Sequence, residues 1–137
     1  MTTPLRLAAA AEALEGTPFR LQGRDPATGL DCIGLLGAAM ARAGHPISLP
    51  TGYPWRVRDL AQWLPTPQSC GFLDARGTVR PGDCVMLQPG PAQFHLAIAL
   101  RAGRWAHAHA GLRRVVISAA LPPGPITVHW RLRRNRK

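Results

Sequence analysis

The stretch Phe94-His95-Leu96-Ala97-Ile98-Ala99-Leu100 alternates between two kinds of residue, the mark of a β-strand with two different faces. Leu96, Ile98 and Leu100 form one face, and His95 shares the other with Ala97 and Ala99. Small neighbours leave room beside His95 for another element to approach closely, and the helix that carries Cys32 is the natural candidate. Strand-like segments surround this one. Pro81-Gly82-Asp83 leads into Cys84–Gln88, while Arg104–His109, Arg113–Ser118 and Ile126–Leu132 follow at short intervals, parted by Gly- and Pro-bearing turns.

The N-terminal part has a different period. Thr3-Pro4 reads as an N-cap with Pro at the first helical position, and Gly16 as the stop, around a short helix carrying Leu5, Ala8, Ala9 and Glu12. Gly16–Asp31 reads as loop. Asp31 is then the N-cap of a second helix, whose Leu35, Leu36, Ala39, Met40 and Ala43 have helical spacing before Gly44 and Pro46 end it. From His45 to Pro81 the chain is Pro-rich and irregular, with a short helix predicted over Val57–Leu64 and Trp55 and Trp63 read as core or wall residues. Helices first and an antiparallel meander afterwards predict an α+β domain: N-terminal helices packed on a small antiparallel sheet of about five strands.

The length of 137 residues fits a single domain over residues 1–137, ending in a basic, flexible tail at Arg131–Lys137. An apolar content of 46% argues against disorder. No apolar run approaches the ~18 residues of a membrane helix, so membrane insertion is not expected. Leu7–Leu14 is Ala-dominated and broken by Glu12, a poor signal-peptide core, so a chain made in the cytoplasm without a signal is expected. The 17 basic residues against 7 acidic ones give a formal charge of +10, and all but Lys137 are Arg. Such a surface suits a polyanion (nucleic acid, a wall polymer or an acidic peptide), or is simply solvated. Aromatics make up 6% with Tyr53 the sole Tyr, too few for a base-stacking surface, so nucleic acid is expected to bind only non-specifically, if at all. Three cysteines without a CxxC pair give neither a disulfide framework nor a structural zinc site.

Cys32 falls in the first turn of the second helix, where free N–H groups and the helix dipole stabilise a thiolate. Cys70 and Cys84 read as packing or surface thiols. A thiol nucleophile needs a general base and a group that orients that base. His45 follows a helix stop, and His129 alternates with apolar residues in a terminal strand, which favours a solvent-facing or core role. That leaves His95, His107 and His109. A three-residue loop Arg101-Ala102-Gly103, with Gly103 left-handed, pairs Leu100 with Arg104, Ala97 with His107 and His95 with His109. The three rings then share one face, His107 diagonal to His95 and within reach of a ring-to-ring hydrogen bond. A two-residue loop would turn His107 to the opposite face. His-x-His is also a metal-binding pattern, but Asp31, the one carboxylate nearby, is already a cap.

These residues resemble the NlpC-type cell-wall peptidases, compact papain-like cysteine peptidases. The likeness lies in Gly16-Thr17-Pro18-Phe19-Arg20 with Gly29-Leu30-Asp31-Cys32-Ile33-Gly34-Leu35, in Arg80-Pro81-Gly82-Asp83 running into His95–Leu100, and in Gly103-Arg104-Trp105-Ala106-His107-Ala108. It implies Cys32 as nucleophile, His95 as general base and His107 as the orienting residue, with His109 a rival for that last role. It implies cleavage of peptidoglycan stem peptides without a metal or organic cofactor. Asp31 matches an acidic position that holds the free amine of the stem, and Phe19 and Arg20 belong to the substrate-binding block. Arg20, Arg24, Arg101 and Arg104 are candidates to attract an acidic stem. Two departures stand out: Phe19 replaces a Tyr, and Ile33 a Ser. The aliphatic Ile33 and the Pro-rich insert Gly52-Tyr53-Pro54-Trp55 resemble the phage-tail branch. That branch implies a place in a phage or phage-like tail tip, with other tail proteins as partners. A tail-tip subunit keeping the fold with little or no activity is the alternative.

Overall fold

A computed structural model describes residues 2–47, 71–90 and 93–133 of the chain. Helix α1 (Thr3–Glu12) starts one residue earlier than expected, with Thr2 rather than Thr3 at its N-cap and Pro4 in the first turn. Helix α2 (Cys32–Arg42) starts where the sequence places it. Asp31 caps it by accepting the Gly34 N–H on Oδ1 at 2.8 Å. It ends as Gly44 takes a φ of +91° and the His45 N–H reaches back to the Met40 carbonyl, the six-to-one bond of a glycine-terminated helix. The stretch between the helices, read as loop, holds a two-stranded ribbon of β1 (Arg24–Asp25) and β2 (Gly29–Leu30).

Among the described residues the main sheet is antiparallel throughout and has six strands: β3 (Phe72–Asp74), β4 (Cys84–Gly90), β5 (Gln93–Ala99), β6 (Trp105–His109), β7 (Arg114–Ser118) and β8 (Ile126–Leu132). The α+β class is as expected, and β3 is the added strand. Strands β4 to β7 follow one another as a meander, but β8 crosses back to lie between β3 and β4, giving the order β3-β8-β4-β5-β6-β7. The predicted helix Val57–Leu64, Trp55, Trp63 and Cys70 lie outside the described residues, as do residues 134–137. The expected tail begins too early at Arg131: that residue and Leu132 belong to β8, paired with Leu73 and Phe72.

The sheet separates two apolar clusters. Leu96, Ile98, Leu100, Met86, Cys84, Ala106 and Ala108 pack with Leu7 and Ala11 of α1 and with Leu35, Leu36, Ala39 and Met40 of α2. Val85, Leu87, Ala97, Ala99 and Trp105 form a smaller cluster on the other face. The helices therefore lie on the Leu/Ile face of β5, not on the small-residue face that carries His95. Buried apolar area decides this, because Leu and Ile side chains give the helices far more surface to cover than Ala.

A buried ionic network ties β4 to β8. Asp83, fully buried, accepts from Arg131 Nε at 2.9 Å and Nη2 at 2.8 Å, and lies 2.7 Å from His129 Nε2. Burial by itself opposes ionisation of Asp83. Hydrogen bonds from Arg131, the Arg80 N–H and His129 outweigh it and hold the carboxyl below its ordinary range. His129 is thus neither solvent-facing nor a plain core residue; it is a partner of Asp83.

Candidate active site

The start of α2 is fixed from both sides. The Gly16–Arg20 segment runs between β7 and the residues that precede Cys32. Gly16 and Phe19 donate to the carbonyls of Val115 and Arg113, and Leu30 donates to the Pro18 carbonyl at 2.8 Å. Gly34 packs so closely on the Gly23 carbonyl that a Cβ there would collide with it. Asp31 is 4% exposed and satisfied within the fold: Oδ2 accepts the Gln22 N–H at 2.8 Å, and Oδ1 accepts from Gly34 and, at 3.1 Å, from Arg24 Nη1. Within the fold Asp31 thus has a capping and ion-pairing task.

Cys32 is half-buried at the first position of α2. Its thiol is pushed up to about 11, first by burial and then by the neighbouring Asp31 charge, while the N–H groups of Leu96, Ile33 and Cys32 itself act in the other direction. The helix-end position was expected to favour the thiolate; desolvation outweighs it here. The contact with Leu96 locates the sulfur. The Leu100 N–H bonds Arg104 across to β6, whereas the Ala99 N–H bonds Asp83. Alternation then directs the Leu96 N–H toward β6. The β5–β6 ladder comprises Ile98↔Ala106 and Ala99↔Trp105 and stops short of Leu96. The thiol thus stands at the opening between the two strands, with His95 next in sequence to the amide it touches.

The register is the one the three-residue loop predicts. Arg101–Gly103 forms the turn, with Gly103 at φ +70° and Ala102 also left-handed at φ 62°. Continuing the ladder sets Ala97 opposite His107. His95 Nε2 lies 2.9 Å from His107 Nδ1, the rings meeting edge to face at 4.9 Å. Burial pushes His95 down to about 4, aided by the charges of His107 and His109, and burial followed by His109 does the same to His107. Both are neutral imidazoles at neutral pH. His109 takes another task, its Nδ1 accepting the Leu112 N–H at 3.0 Å in the β6–β7 turn.

Phe19 is half-buried against the main core beside Leu30, and Arg20 is exposed. Ile33 is a core residue, 1% exposed. Of the four arginines considered for an acidic substrate, Arg24 is paired with Asp31, and Arg104 with Glu12 at 2.7 Å. Cys84 is fully buried, and burial, then Asp83, raises its thiol pKa further still. The sequence reading missed Ser118, whose Oγ is 3.4 Å from His107 Nε2. Extending the β6–β7 register would have found it, since Trp105 pairs with Ser118 and His107 with Val116, which makes Ser118 diagonal to His107 on one face. Among the described residues no group of three His, Cys, Asp or Glu side chains is set to hold a metal.

No curated protein matches the sequence significantly. The NlpC/P60 family profile matches residues 16–131, most of the chain. The chain belongs to the NlpC/P60 family. Solved structures agree on the fold. NlpC2 from Trichomonas vaginalis superposes with a TM-score of 0.68 at 17% identity, over 98% of this chain and 48% of that one. The NlpC/p60 domain of the peptidoglycan hydrolase SagA gives 0.57 at 22% identity, over 92% and 96%. The peptidoglycan hydrolase RipB from Mycobacterium tuberculosis gives 0.60 at 21% identity, over 94% and 63%. This NlpC/P60 chain thus spans about half of the Trichomonas protein, and nearly all of the SagA domain.

Proposed function

We propose that this NlpC/P60 protein is a cysteine endopeptidase that hydrolyses the peptide stems of bacterial peptidoglycan. The observation that carries the reading is the Cys32 sulfur at the Leu96 amide, one residue along β5 from His95, whose ring is hydrogen-bonded to His107. The resting pair is a thiol and a neutral imidazole, so His95 must act as base. It takes the thiol proton as the sulfur attacks the stem carbonyl, then gives that proton to the departing amine. Water, deprotonated by His95, cleaves the thioester and releases the acid. The Gly34 and Leu35 N–H groups are taken by Asp31. The N–H groups of Cys32 and Ile33 are the helix-start donors suited to the developing oxyanion.

The compartment rests on resemblance alone. Ile33 and the insert at Gly52-Tyr53-Pro54-Trp55 support a place in a phage or phage-like tail tip, alongside other tail proteins. The competing reading, a tail-tip subunit of little activity, draws on the hydroxyls missing at Phe19 and Ile33. Cys32→Ala assayed on purified muropeptides separates the two. The peptidase reading expects cleavage to drop by at least about 10³-fold; cleavage unchanged from the wild type would remove Cys32 from the chemistry.

A further inference from the structure

Two neutral imidazoles joined by one hydrogen bond can be arranged in two ways. Either His95 Nε2–H donates to His107 Nδ1, or His107 Nδ1–H donates to His95 Nε2. Only the first leaves a lone pair on His95 Nδ1, the nitrogen that is not shared with His107. In the second, Nδ1 carries a hydrogen and has no capacity to accept the thiol proton. Something beyond the pair has to choose.

We propose that Ser118 is a positioning residue that makes this choice, acting on His95 through His107. Its hydroxyl has a single proton, which it donates to the Ala120 carbonyl at 2.8 Å. A carbonyl oxygen is always an acceptor, so the hydroxyl oxygen offers His107 Nε2, at 3.4 Å, an acceptor and not a donor. His107 is thereby held as the Nε2–H tautomer with its Nδ1 lone pair turned to His95 at 2.9 Å. His95 must then donate from Nε2, and its Nδ1 is left as the base. One direction of hydrogen bonding thus runs from His95 through His107 and Ser118 to the backbone at Ala120. The strand geometry supports it: Ser118 lies diagonal to His107, and Ala120, just beyond β7, is within reach of the same side chain.

The inference rests on the cysteine-peptidase reading, but its test reads tautomers as well as turnover. Nitrogen NMR of ¹⁵N-histidine-labelled protein at neutral pH is expected to show His95 and His107 each protonated on Nε2 and bare on Nδ1. In Ser118→Ala, His107 should populate both tautomers, His95 should follow, and muropeptide turnover should fall about five- to tenfold, the size of one neutral hydrogen bond. Ser118→Thr, which keeps the hydroxyl, should restore the wild-type tautomers and rate to within about twofold. A wild-type His95 protonated on Nδ1, or a Ser118→Ala protein with wild-type tautomers, would overturn the role. Correct tautomers in a protein that cleaves no muropeptide would keep it and refute the peptidase reading instead.

Discussion

Cys32 and His95 are each held in the uncharged form by their surroundings. Burial is the leading cause for both, lifting the thiol to about 11 and depressing the imidazole to about 4. The helix dipole, which alone would favour a thiolate, is opposed by the Asp31 carboxylate that caps the same helix end. The depressed histidines also make a statement about stability. Unfolded, His95 and His107 take up protons near 6.5; folded, they resist until about 4. Above the unfolded value both states are neutral at these rings and the stability is complete. As pH falls from about 6.5 toward 4, the unfolded chain binds protons that the folded one refuses, and stability is lost. Asp83 adds its own loss only below its ordinary 3.8. Denaturant midpoints measured from pH 8 to pH 4 should therefore decline across the histidine window, and a midpoint constant across it would contradict these environments.

At the scale of elements, the β5–β6 hairpin sets the geometry of the site, and its turn is the part most readable in advance. Gly103 pointed to a left-handed turn residue, and of the two loop lengths left open the structure has the three-residue one, which puts His107 on the His95 face. Ala102 was not foreseen as left-handed. A side chain at φ 62°, ψ 32° is a strained choice for alanine. Ala102→Gly should thus stabilise the protein by about 1 kcal/mol, seen as a rise in melting temperature; a lower melting temperature would mean that the turn is not held this way. Helix α2 was equally legible, because Asp31, the apolar spacing and Gly44 all agree on its ends. Strand β3 was not, since Phe72–Asp74 is too short for a period to show and follows a Pro-rich stretch. Nor was the return of β8 beside β4. That pairing depends on Asp83 meeting His129 and Arg131 across more than forty residues, and no local pattern announces it.

For the molecule as a whole, the candidate site draws on parts that do not share a face. The sequence named Cys32, His95 and His107, but it implied that α2 would lie on the small-residue side of β5. The core decides otherwise, because the bulky residues of β5 attract the helices, and the histidines are left on the far side of the sheet. The thiol reaches the Leu96 amide where the β5–β6 ladder stops, one residue along the chain from His95. Whether sulfur and imidazole act as one unit across that opening is read most directly from the pH dependence of Cys32 alkylation by iodoacetamide, in the wild type and in His95→Ala. A coupled pair should react at a nearly constant rate from just above pH 4 up to the thiol's own range near 11, whereas His95→Ala should show a rate that climbs steadily with pH as thiolate appears. Superimposable profiles for the two proteins would mean that His95 does not serve Cys32.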